Sequence, residues 1–156
     1  MSAPPVFPPS TGRCIDGLPA AWLEIHDTGT AKGRGVYARR HFAAGEEVEA
    51  APVLVLKGEF DELPELLKTY VFNWESLAGI PGTHAIALGF GSLYNHDNPA
   101  SLCYRADARA AVMRFVAARD IAAGEELTIN YNADGGVNEW PDDNWFERHD
   151  IARIVG

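Results

Sequence analysis

A chain of 156 residues, 47% hydrophobic and 22% charged, has room for one domain with a sizeable core and is short for two. Its formal net charge of −9 argues against nucleic acid, whose binding rests on Lys and Arg at phosphates, and suits a basic polypeptide, although acidity also serves plain solubility. No apolar run approaches the roughly 20 residues of a bilayer span, and Cys14 and Cys103 form no CxxC pair, so neither a membrane helix nor a cysteine-built zinc site is expected and a reducing cytoplasm is the expected compartment.

Residues 1–20 read as a proline-rich arm without the basic and apolar regions of a signal peptide. Residues 22–26 alternate apolar and polar as a half-buried strand does. A turn-rich segment follows at 27–35, then short strands at 36–38 and from Val48 through Leu56. Asp61 can cap a helix over 61–72, in which Leu63, Leu66, Leu67 and Tyr70 recur at helical spacing and Pro64 falls in the first turn. Residues 76–83 carry Gly79, Pro81 and Gly82 and read as loop; 110–117 alternate again; 127–131 form a strand with Leu127, Ile129 and Tyr131 on one face. The tail from Trp140 onward closes with a short helix. Many short strands with Gly and Pro turns predict a mainly β domain with one or two short helices.

The stretch 39–48 is echoed by 118–127: in each an apolar residue, two alanines and a glycine precede acidic residues and a strand. Two copies make no repeat array, and one hairpin chemistry used twice accounts for them. His26, His41, His84 and His149 lack ligand spacing, Cys103 reads as a small buried apolar residue, and Glu46, Glu47, Glu125 and Glu126 read as solvated turn acids; no metal site is expected.

Three stretches carry the functional signal: Lys32-Gly33-Arg34-Gly35-Val36, Tyr94-Asn95-His96 after the glycines Gly89 and Gly91, and 125–131 ending in Asn130-Tyr131. Each alone is weak; a GxG is usually a turn, and a lone Tyr is usually core. In this order and at these separations the combination resembles the SET domain, a family of lysine methyltransferases that use S-adenosylmethionine, over roughly residues 22–131. The likeness is to small stand-alone members from bacteria and viruses. It implies a β-clip-like fold of several small sheets with a C-terminal pseudoknot, a SET domain over 21–132, and a post-SET-like aromatic tail without zinc over 133–156.

By the same resemblance Lys32, Gly33, Arg34 and Gly35 would lie against the cofactor's methionine part. Tyr70, in the family's YxF element, would touch the cofactor. Asn95 and His96 would hold its adenine end, largely through backbone groups. Tyr131 would be catalytic, standing at the methyl-transfer centre, with Phe90, Tyr94, Tyr131, Trp145 and Phe146 as walls of the lysine channel. Aromatic walls tolerate a cation and its methylated products, and an apolar channel lowers the pKa of a lysine that is otherwise mostly protonated at neutral pH. The family pattern N-H-S-x-x-P-N is departed from: Asp97-Asn98-Pro99-Ala100 follows His96, one residue short and without the Ser or final Asn. Trp140, Trp145 and Phe146 either close the channel in place of a zinc segment or only plug the core.

The expected activity is methylation of a lysine in a basic protein or peptide, with S-adenosylmethionine as cofactor. A degenerate SET-like module that binds a partner without catalysis is the rival, motivated by the short stretch after His96. A small-molecule methyltransferase on the same scaffold is a third. Homodimerisation through an exposed strand edge stays open, and no residue decides it.

Overall fold

The computed structural model describes residues 22–132 and 134–148. The expected arm 1–20, Cys14, His149 and the end of the tail lie outside them. In chain order the elements are β1 (Leu23–Asp27), β2 (Arg34–Ala38), β3 (Glu47–Lys57), α1 (Glu65–Lys68), β4 (Val71–Asn73), α2 (Trp74–Ala78), β5 (Thr83–Ala87), β6 (Asn95–His96), β7 (Leu102–Asp107), β8 (Val112–Ala117), β9 (Glu126–Ile129) and α3 (Trp145–Arg148). They build a four-stranded sheet in the order β1-β2-β9-β6 and a five-stranded sheet in the order β4-β5-β3-β8-β7. Pairing is antiparallel except where β6 lies parallel to β9, with Asn95 opposite Thr128 and His96 opposite Ile129. No helix among the described residues is long and apolar enough to cross a membrane.

The core gathers bulky side chains from both sheets and their connections: Phe42, Trp74, Tyr94, Met113, Phe115, Ile121 and Leu127 are all at most 1% exposed. Gly91 belongs to this packing. A Cβ on it would stand 2.6 Å from Ala87 Cβ and 2.9 Å from a ring carbon of Phe115, so glycine here serves close packing of the loop on the core.

The helix expected over 61–72 is a single turn, and residues 71–73 pair with β5. Leu66 is 71% exposed, so its leucine spacing marks no buried stripe. Phe72 gains more from burial in the sheet, where it meets Tyr104 and Phe115 edge-on at 5.2 and 6.1 Å. The first residues of the loop expected over 76–83 instead complete α2, because the Asn73 side chain accepts the Ser76 amide and Gly79, at φ 71°, ends the helix left-handed.

The two echoed turns face each other. Phe42 and Ile121 exchange backbone hydrogen bonds of 3.0 and 2.9 Å, while the amide of Gly45 donates to Ala117 and that of Gly124 to Ala38. In each copy a glutamate (Glu46, Glu125) accepts a turn amide at 3.0 Å and pairs with an arginine (Arg40, Arg119). Those arginines hold both carboxyls below the usual carboxylate range. One hairpin chemistry used twice is therefore also one pairing, in which each copy satisfies the other's backbone.

Candidate active site

β6 and β9 run side by side, and this brings residues 34–35, 95–96 and 126–131 together although they are far apart in sequence. Asn95 ties the first two: its amide donates to the Arg34 carbonyl at 2.9 Å and to the Glu126 carboxylate at 2.7 Å. Glu126, expected as a solvated acid, is thus a partner of the motif. Gly35 makes room for it, since a Cβ there would stand 2.5 Å from Glu126 Oε1.

His96 ties the second stretch to the third. The Tyr131 amide donates to His96 Nδ1 at 3.1 Å, which puts the ring proton on Nε2, 2.9 Å from the Asp143 carboxylate. The side chains of Asn95 and His96 are therefore both engaged within the protein.

β9 ends at Ile129, and Tyr131 lies beyond it, on a turn. Its hydroxyl donates to the Tyr94 carbonyl at 2.7 Å. Burial pushes this hydroxyl well above the ordinary tyrosine range, with Tyr104, Tyr70 and Glu126 adding to the effect. Burial does the same to the fully enclosed Tyr94, reinforced by Glu49. Both stay neutral at physiological pH, so Tyr131 is equipped to orient a partner and is no base. The folded chain keeps protons that the unfolded chain gives up near pH 10, so these two tyrosines stabilise the fold fully below about pH 10 and progressively lose that contribution above it. Denaturant midpoints measured from pH 8 to 11 should fall, and should fall less steeply for Tyr131→Phe.

A cavity of ≈ 560 Å³ opens at this point, with Tyr70, Tyr94, Tyr104, Tyr131, Trp140 and Trp145 among its walls. That volume sits inside the roughly 300–1,000 Å³ common for small-molecule sites. Trp145 meets Tyr131 edge-on at 5.2 Å. Phe146, also expected on the wall, packs behind it, stacked on Tyr131 at 6.1 Å and edge-on to His96 at 5.2 Å. Phe90 is not among the lining residues; it packs against the core, because its loop is drawn onto β3. Lys32, Gly33, Arg34, Gly35, Asn95 and His96 do not line this cavity either. Arg34, Gly35, Asn95 and His96 belong to a neighbouring cluster, which meets the cavity wall where His96 accepts the Tyr131 amide. Among the described residues no group of three or more His, Cys, Asp or Glu side chains is placed to hold a metal.

Residues 33–132 match the SET-domain family model. The chain belongs to the SET-domain family. It is 34% identical over 128 residues, 80% of this chain and 77% of the relative, to the H3 lysine-37 specific histone-lysine N-methyltransferase of Schizosaccharomyces pombe. Its fold is shared with a candidate histone methyltransferase of Plasmodium falciparum (TM-score 0.56, 22% identity, covering 70% of this chain and 92% of that one). A chain of an active polycomb repressive complex 2 is also similar (TM-score 0.60, 20% identity, covering 76% of this chain and 17% of that one).

The place where this SET domain departs from the family pattern is occupied by Asn98. Its side-chain oxygen accepts Asn130 Nδ2 at 3.0 Å and the Trp140 amide at 3.2 Å, while its Nδ2 donates to the Trp140 carbonyl at 2.9 Å. Next to it the Ala100 amide donates to Asn138 at 2.8 Å. The tail is thereby laced along 98–100. Asn98→Ala would strip buried Asn130 of a partner; a loss of about 2 kcal/mol in denaturant unfolding and faster exchange of the Trp140 amide are expected.

Several residues at the site escaped the sequence reading. Asn130 is fully buried, and its oxygen accepts the Asn132 amide at 2.9 Å. Asn132 in turn donates to Asp143 at 2.6 Å and accepts the Trp145 amide. Tyr104 lines the cavity and donates to the Asn130 carbonyl at 3.4 Å. The one signal available was a pair of asparagines flanking Tyr131, which a strand-plus-turn reading places at the surface.

Proposed function

We propose that this SET domain transfers a methyl group from S-adenosylmethionine to the ε-amine of a lysine in a basic protein segment. Family membership and the relative at 34% identity support protein-lysine methylation. The observation that carries the mechanism is the 2.7 Å hydrogen bond from Tyr131 to the Tyr94 carbonyl inside an aromatic-walled cavity.

The residues fit such a cofactor. Gly33, at φ +73°, leaves its backbone open, with nothing within 4 Å of where a Cβ would stand. Aromatic faces from Tyr70, Tyr131 and Trp145 suit both an adenine ring and a sulfonium. The backbone of Lys32, Gly33, Arg34, Gly35, Asn95 and His96 would hold the cofactor, with Tyr70. Bound there, it supplies an electrophilic methyl on a positively charged sulfur.

The chain's own residues do the rest. Tyr131 spends its only proton on Tyr94, so its remaining lone pairs can accept an N–H of the incoming amine and aim the nitrogen. Desolvation between Tyr70, Tyr104 and Trp145, beside a like charge, lowers the amine's pKa and favours the free nucleophile. The net charge of −9 attracts a basic segment, and histone H3 is the first substrate to try.

Incubation with labelled S-adenosylmethionine and a panel of basic proteins including histone H3 should place label on lysine. The rival reading, a non-catalytic binding module, is favoured instead if intact protein shows no cofactor binding by calorimetry even at high concentration.

A further inference from the structure

Glu49 does not line the cavity, yet it holds a residue that does, Tyr94. This glutamate sits on β3 just past a register shift between Glu47 and Glu49, a bulge of the kind that redirects a side chain. Among the described residues no Lys, Arg or His forms an ion pair with it. Burial raises its carboxyl above the usual range, although hydrogen bonds from Tyr94 and Phe90 pull the other way. A half-buried carboxylate without a counter-charge is costly, and what it gains is two hydrogen bonds to one loop. Oε1 accepts the Phe90 amide at 2.8 Å and Oε2 accepts the Tyr94 hydroxyl at 2.7 Å.

These two bonds grip both ends of the loop 90–94, and Tyr94 is held on each side. Its ring is 1% exposed and meets Phe115 edge-on at 4.9 Å; its hydroxyl is on Glu49; its carbonyl accepts Tyr131. Position therefore passes from Glu49 through the body of Tyr94 to the hydroxyl of Tyr131, over 45 and then 37 residues of sequence separation. We propose that Glu49 is a positioning residue for methyl transfer: its carboxylate sets the loop 90–94, and with it the Tyr94 carbonyl that aims the Tyr131 hydroxyl. The inference rests on the reading of Tyr131 given above.

The test uses the full chain with S-adenosylmethionine and histone H3, and follows the ¹³Cζ resonance of Tyr131, which reports the state of its hydroxyl. Glu49→Ala should shift that resonance and lower kcat about tenfold, the scale expected for a modest misplacement of a reacting group, with KM for the cofactor within about twofold. Glu49→Gln keeps an acceptor for the Phe90 amide and a polar contact to Tyr94. It should restore the resonance and recover activity to within about threefold of wild type. Tyr94→Phe, which removes one hydroxyl and keeps the carbonyl, should resemble Glu49→Ala and carries the test if Glu49→Ala does not fold. In a Tyr131→Phe background Glu49→Ala should cost nothing further. An unmoved Tyr131 resonance in folded Glu49→Ala, an unchanged kcat, or a glutamine no better than alanine overturns the role of Glu49 alone. A wild-type protein that binds no cofactor and methylates nothing overturns both this role and the reading beneath it.

Discussion

Tyr131→Phe should lower kcat about a hundredfold while leaving cofactor affinity within about twofold, because it deletes one oriented polar group at the transfer centre and little packing. The ring stays. It keeps its edge-on contact with Trp145 at 5.2 Å and its stack on Phe146 at 6.1 Å, and the main-chain amide still donates to His96. What goes is the hydroxyl held by the Tyr94 carbonyl at 2.7 Å, and with it the lone pairs that aim the amine. Single-turnover assays with labelled S-adenosylmethionine, beside calorimetry for the cofactor, separate the two effects. A phenylalanine variant that turns over at the wild-type rate sinks the mechanism.

The second large effect is on stability. Gly136→Ala should cost about 3 kcal/mol, combining a left-handed backbone with a collision that nothing can relieve cheaply. Gly136 has φ +75°, and a Cβ on it would stand 1.9 Å from the carbonyl oxygen of Tyr104. A main-chain atom inside β7 cannot swing aside as a side chain can. The segment that carries Trp140, Asp143 and Trp145 must move instead, and with it the contacts to Asn98, His96 and Tyr131. Denaturant unfolding should show the loss, and amide exchange of the segment 138–148 should quicken. Gly124→Ala is the control: φ is +85° but nothing lies within 4 Å, so only the backbone strain of about 1 kcal/mol remains. Equal losses for the two would mean that the Tyr104 collision is relieved.

Local residue patterns announced much of the scaffold. Alternation found β1 and β8, a short apolar run found β3, and the turn chemistry around Gly45 and Gly124 was visible as an echo. It misled over 61–72, where leucine spacing mimicked a helix; a cross-strand site for Phe72 outweighed four residues of helical preference. Phe90 was misplaced for a related reason. An aromatic beside a motif looks like a wall, but the Glu49 carboxylate that draws its amide inward is 41 residues away.

What the sequence determined by itself was the set of short stretches whose geometry is local: the turn that ends at Gly33 and feeds β2, the Tyr94-Asn95-His96 triplet, and Tyr131 after a strand. Their order was enough to mark the family. The tertiary structure alone decided how they are held. Asn98 on the tail, Asn130 on Asn98, Asp143 on His96 and Glu49 on Tyr94 are polar residues with a partner 32 to 47 positions away. A polar side chain in a strand or turn carries no mark of whether it meets water or a distant partner. Only folding removes the water and shows which one it has.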